Sequence, residues 1–239
     1  MKIVNYLDIT SGSVVAVVGC GGKSSLIELL AGRLRGKKVL VAATTKMFPV
    51  NIDGIVLRPT LQECVDHEPQ RGIQQFGLLN SANGKLEALP DEILARMVSR
   101  YDITLLEADG SRNLHCKGWL AEEPAVPPYC THTAGIVTMS ALGKAAAEDI
   151  VCRLPEFLAL TGLEKGETIT MEALEAMVCD PQGMFQNSAG RRYLLVNQVE
   201  DDAASSAARD FLCSIKKKHP NHFERLLYGS VHLDTWQEA

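Results

Sequence analysis

Apolar positions along this chain follow two patterns that alternate. Lys38–Ala43, Ile103–Leu106, Gly135–Ser140, Tyr193–Val196 and the run Val14 to Val18 are apolar on nearly consecutive positions, as strands covered on both faces are. Between them, Leu26 to Leu34, Asp91 to Ser99, Asp149 to Leu160, Met171 to Cys179 and Ala203 to Lys218 have the three-and-four spacing of amphipathic helices. A last strand is predicted near Arg225 to Val231. Strand and helix in alternation predict an α/β fold with a mostly parallel sheet. Two regions depart from that rhythm. From about 50 to 90 the apolar pieces are short and broken by glycines, and Ala82-Asn83-Gly84-Lys85 reads as the turn of a hairpin in a small antiparallel edge or insertion. From 145 to 180 the pattern is helical throughout, and the whole of 1–239 reads as one domain.

The first strand delivers Gly19-Cys20-Gly21-Gly22-Lys23-Ser24-Ser25, and a helix follows. A glycine-rich turn between strand and helix lets backbone N–H groups converge on phosphate oxygens, with the positive end of the helix dipole behind them. Lys23 would then reach the outer phosphates and Ser24 would offer its hydroxyl to Mg²⁺. The spacing is G-x-x-G-K-S-S, shorter than the Walker A pattern, which would put its first glycine at Val17. This short loop is similar to that of Mur ligases and resembles those of the MinD and signal-recognition-particle NTPases. The expectation is therefore a P-loop NTPase-like three-layer fold.

Ligands of open α/β sheets collect at the carboxyl ends of the strands, so Thr44, Thr45 and Lys46, which end the second strand, are expected to form a further wall of the site. That strand is expected to lie directly beside the first. Ile103 to Asp109 has the layout of a Walker B strand, with Glu107 and Asp109 as metal-binding and water-orienting carboxylates; a strand running into an Asp-Gly turn would look the same. The following loop, 111–128, carries Arg112, Lys117, Glu122, Glu123 and three prolines, a composition that marks functional or disordered segments.

Asn197-Gln198-Val199-Glu200 follows a late apolar strand, as the N/T-K-x-D element does with which many GTPases read the base. Gln198 and Glu200 depart from it. Asn197 and Glu200 are candidates for base recognition, against the reading in which the acidic residues only complement a helix start.

Charge narrows the partners. The formal net charge is −5, and Lys216-Lys217-Lys218, the one basic run, ends a predicted helix, where cations complement the dipole, so no nucleic acid is expected. No apolar stretch approaches the roughly 18 to 20 residues that span a bilayer, so a cytoplasmic protein without a membrane partner is expected. Seven cysteines without a C-x-x-C pair suggest reduced core residues. Cys20, in a loop at a helix N-terminus, is either a thiol of lowered pKa or a passive spacer.

Together these motifs resemble a known family. VVGCGGKSSLI, ATTKM, LLEADGSR, the stretch Glu123–Pro127, LGK at 142–144, LTGL at 160–163 and LVNQVED are similar to segments of the YqeC family, over about Ser13 to Asp202. Cys20 and Ala145 depart from it, where a small residue and proline are usual. The resemblance implies an accessory protein for a selenium-dependent molybdenum hydroxylase, supplying selenium to its molybdopterin cofactor. The residues themselves imply less: ATP or GTP bound with Mg²⁺, and hydrolysis or phosphoryl transfer in which Lys23, Glu107 and Asp109 are catalytic. A small-molecule kinase with a lid at Gly190-Arg191-Arg192, or a non-hydrolysing module for a molybdopterin nucleotide, are the alternatives.

Overall fold

The computed structural model describes residues 2–239. Its elements, in chain order, are α1 (Ile3–Tyr6), β1 (Ser13–Gly19), α2 (Lys23–Arg33), β2 (Lys38–Ala43), β3 (Lys46–Met47), β4 (Val56–Arg58), α3 (Leu61–Asp66), β5 (Gly72–Phe76), β6 (Leu78–Asn80) and β7 (Lys85–Glu87). Then come α4 (Asp91–Val98), β8 (Ile103–Glu107), β9 (Cys116–Lys117), β10 (His132–Thr138), β11 (Val151–Cys152), α5 (Leu154–Thr161), α6 (Met171–Cys179), β12 (Arg191–Asn197), α7 (Asp202–Lys218), β13 (Arg225–Ser230) and β14 (Thr235–Glu238).

Nine strands form one sheet in the order β14-β13-β12-β10-β1-β8-β2-β5-β4, parallel except for the last pairing, β13 with β14. Successive residues of β1 feed opposite cores: Val14, Ala16 and Val18 pack on the side of α4, α6 and α7, while Val15 and Val17 pack on the side of α1 and α2. The result is helix, sheet, helix in three layers. Burial on both faces is what the consecutive apolar runs required.

Four expectations need correction. β2 is not the neighbour of β1, because β8 lies between them, its Ile103 facing both Ser13 and Val39. Each residue of β8 is buried, and a strand with two apolar faces and no edge belongs in the interior of the sheet. The region 50–90 is not wholly an antiparallel insertion, since β4 and β5 extend the main sheet in parallel; the hairpin β6–β7 does form, and pairs with β3 in a small antiparallel sheet. The helix expected from Asp149 begins only at Leu154, because Val151–Cys152 pair with Cys116–Lys117 and Arg153 takes a left-handed φ of 56° that breaks the run. Arg191 and Arg192 open β12 at the end opposite Asn197, where Arg191 pairs with Asp8, so they form no lid over the glycine-rich loop. Among the described residues no helix is long and apolar enough to cross a membrane.

Candidate functional site

The carboxyl ends of β1, β8, β10 and β12 converge on the glycine-rich loop 19–22. Gly19 has φ 99°, and a Cβ there would collide with the Ile136 carbonyl of the neighbouring strand. Gly22 has φ 124°, and a Cβ there would stand 2.6 Å from Asn197 Nδ2. Only glycine fits such positions, and they bend the chain tightly enough for α2 to start one residue later.

Lys23, the first residue of α2, points back into the loop. Its Nζ donates to the Gly19 carbonyl at 2.7 Å and to Ser111 Oγ at 3.1 Å, and lies 3.2 Å from Asp109 Oδ1. Asp109 is fully buried, and its Oδ2 accepts from Gly19 N–H and from the Trp119 indole, with Lys117 Nζ at 3.7 Å. Burial alone would push this carboxyl up; Lys23, Lys117 and the two hydrogen bonds together hold it below the usual carboxylate range. Burial likewise opposes the Lys23 ammonium, yet Asp109 keeps its pKa above the ordinary value.

The neighbouring carboxylate has a different partner. Ser24 Oγ donates to Glu107 Oε2 at 2.7 Å, so the two oxygens expected to share a cation are in direct contact. Burial raises the Glu107 carboxyl, and Lys23 and the Ser24 hydroxyl offset only part of that. Two residues apart in sequence, Glu107 and Asp109 thus serve different partners, one at Ser24 and the other at Lys23.

A cavity of about 470 Å³ opens over these groups, lined by Gly21, Gly22, Lys23, Ser24, Ser25, Lys46, Glu107, Arg112 and Gln198 among others. A second, of about 490 Å³, adjoins it through Gly22, Ser25 and Gln198 and reaches Asn197, Glu200 and Val231. Of the expected second wall, Lys46 lines the first cavity. Thr44 and Thr45 do not, although both hydroxyls are enclosed without a hydrogen-bond partner. Asn197 is committed at both ends of its amide: Nδ2 donates to the Gly21 carbonyl and Oδ1 accepts from Val231 N–H. Glu200 accepts from Ser230 Oγ at 2.8 Å.

The lowered pKa considered for Cys20 is not found. Its thiol is fully buried, and burial pushes it up to about 12 against the pull of Lys23, which leaves the passive spacer. Three contributors take roles that the sequence did not assign. Lys117, noted only as part of the loop 111–128, and Trp119, which no local pattern marks, reach Asp109 from that loop. Gln198, at φ 65°, is held at the end of a chain of polar contacts: Lys144 Nζ stands 3.5 Å from His115 Nε2, His115 Nδ1 lies 2.7 Å from Ser140 Oγ, Ser140 Oγ lies 3.2 Å from Thr138 Oγ1, and Thr138 Oγ1 donates to Gln198 Oε1 at 2.8 Å. Since Oε1 is the acceptor, the Gln198 amide N–H groups are left for the cavities. The Q in place of lysine was the signal available.

Comparison with known proteins agrees with the motif pattern. A sequence profile of the family described as "YqeC protein" matches residues 15–155. The chain is similar to the protein of Escherichia coli (strain K12) described as "Uncharacterized protein YqeC", 32% identical over 205 residues, which cover 81% of this chain and 80% of that one.

Proposed function

This chain belongs to the YqeC family, and we propose that it binds a nucleoside triphosphate with Mg²⁺ at the glycine-rich loop and cleaves or transfers the terminal phosphoryl group. The observation that carries this reading is the division of labour at the end of β8: Asp109 holds Lys23 at 3.2 Å and Glu107 holds Ser24 at 2.7 Å. A loop that only packed would have no need to bury a lysine and a carboxylate against one another, since apolar residues of the same volume do so at lower cost.

In this reading the backbone of Gly19 to Gly22, with Cys20 and Ser25, wraps the phosphates. Lys23 leaves the Gly19 carbonyl for the outer phosphate oxygens. Ser24 and Glu107 would hold Mg²⁺ through two hard oxygens, the donor type that ion prefers. The ion, when bound, neutralises charge on the phosphates. Asp109, wholly enclosed, acts through Lys23; Lys46 closes the side nearest β2. The base occupies the second cavity, where Gln198 and Glu200 present polar groups and Asn197 fixes the loop that the base rests on.

The wider role, in maturation of a selenium-dependent molybdenum hydroxylase or of its molybdopterin cofactor, rests on the motif resemblance. Calorimetric titration with MgATP and MgGTP, with phosphate release measured alongside, tests the central reading. Neither nucleotide binding at millimolar concentration would refute it.

A further inference from the structure

Beyond the nucleotide cavity, on the far side of Arg112, lies a groove of about 440 Å³ that the reading so far leaves idle. We propose that it holds the second substrate of the nucleotide-dependent reaction, a small ring-bearing molecule with a phosphate or carboxylate; this rests on the nucleotide reading above.

Its floor is apolar, made by Leu114, Val151, Leu154 and Leu158, and its volume lies in the range of small-molecule sites rather than of peptide grooves. Its rim is cationic. Lys165 is paired with Glu148 and Arg153 with Glu123, which leaves Arg112 to set the sign. The first turn of α5 forms part of the wall through Leu154 and Pro155, and adds the positive end of the helix dipole. An apolar floor beside an unpaired arginine suits a flat body carrying an oxyanion, and the fork of the Arg112 guanidinium matches phosphate or carboxylate.

The position of each arginine is built rather than incidental. Arg153 heads α5 in a left-handed conformation, with Nε and Nη2 both 2.8 Å from Glu123. Glu123 is shared, because Lys117 Nζ lies 3.3 Å from it. Lys117, with no exposed surface, in turn faces Asp109, so that Lys23, Asp109, Lys117, Glu123 and Arg153 form one line of charges from the glycine-rich loop to the groove. Arg112 and Asn113, at φ 51° and 60°, are successive non-glycine residues in the left-handed region, a costly arrangement that clusters at binding sites. Arg112 lines both cavities, makes no ion pair among the described residues, and stands where oxyanions of two ligands would meet.

The test uses the full chain and three naphthalene probes followed by their fluorescence anisotropy: 1-naphthyl phosphate, 1-naphthoate and uncharged 1-naphthol. Both anions are expected to bind at least tenfold more tightly than naphthol. Arg112→Ala should weaken them at least fivefold and Leu158→Glu at least tenfold, with Pro155→Glu, at an exposed position, as a second variant should Leu158→Glu fail to fold. Equal binding of naphthol, or indifference to all three substitutions, overturns the proposal. MgATP titrated on the same protein separates the two readings: groove-dependent anion binding without MgATP binding would remove the nucleotide and keep the anion site.

Discussion

The Lys23 ammonium and the Asp109 carboxylate stand 3.2 Å apart with almost no access to solvent, and each has a second neighbour of its own: the Gly19 carbonyl for the lysine, Lys117 for the aspartate. Removing one member of such a cluster leaves an uncompensated buried charge, which costs roughly 3 to 5 kcal/mol. Asp109→Asn should therefore destabilise the fold by about that amount in urea unfolding, and adding Lys117→Met should recover part of the loss. A single variant as stable as the parent would show the cluster to be energetically idle. Because the folded pKa of Asp109 is depressed, its contribution is fully present above the ordinary value of about 3.9 and is lost as pH falls through the folded one. The asparagine variant should lack that acid-dependent component.

Lys23→Ala should lower triphosphate affinity or turnover at least tenfold, equivalent to about 1.4 kcal/mol, since a charge-assisted phosphate contact is worth that or more. Binding and turnover equal to those of the parent would refute the assignment.

Ser24 and Glu107 are expected to act as one unit. Ser24→Ala and Glu107→Gln should each weaken the dependence on Mg²⁺, and the double variant should be little worse than either alone, as contacting groups are non-additive. The carboxyl of Glu107 is raised by burial, so the free protein keeps a proton there beyond the usual carboxylate range. Mg²⁺ affinity should rise as pH rises through that value, and the acid limb should vanish in Glu107→Gln. A magnesium titration across pH 4 to 8 decides it.

Asn197→Ala should weaken ATP and GTP by similar factors, because both ends of its amide are bound to the loops at Gly21 and Val231; losing them costs roughly 1 to 3 kcal/mol. Glu200→Ala should change the ratio of GTP to ATP affinity if guanine is the base. A changed ratio in Asn197→Ala would instead return base reading to that amide.

Of the seven cysteines only Cys213 is exposed. An aromatic disulfide reagent at pH 8 should therefore titrate one fast thiol per native chain, abolished by Cys213→Ser. Rapid reaction of Cys20 would contradict its burial.

How much of this was legible in the sequence depended on the range of the interaction. The turn at Gly19 to Gly22 and the contact of Ser24 with the end of β8 follow from spacing, because strand, turn and helix fix them within a few residues or at one edge of the sheet. The order of strands did not: β1, α2 and β2 are consecutive, but the slot between the two strands is filled by β8, which arrives some sixty residues later and whose doubly buried face admits no edge position. For Cys20 the spacing left a low-pKa thiol and a passive spacer open, and the packing over it, which brings segments distant in sequence together, decides for the spacer. Lys117 was visible only as one lysine in a long loop; what makes it matter is Asp109, Glu123 and Trp119 closing around it.

β14 is four residues long and antiparallel, with Trp236 turned into the core. Its consequence concerns other molecules. A wide parallel sheet would leave the backbone of β13 as a ready template for a foreign strand, and β14 occupies that edge; at the other, β4 has three residues and is followed at once by Pro59, which has no N–H to offer. Both edges of the sheet are thereby kept to three or four residues, which narrows the template for edge pairing, and a truncation before Asp234 should be judged first by whether it remains dispersed.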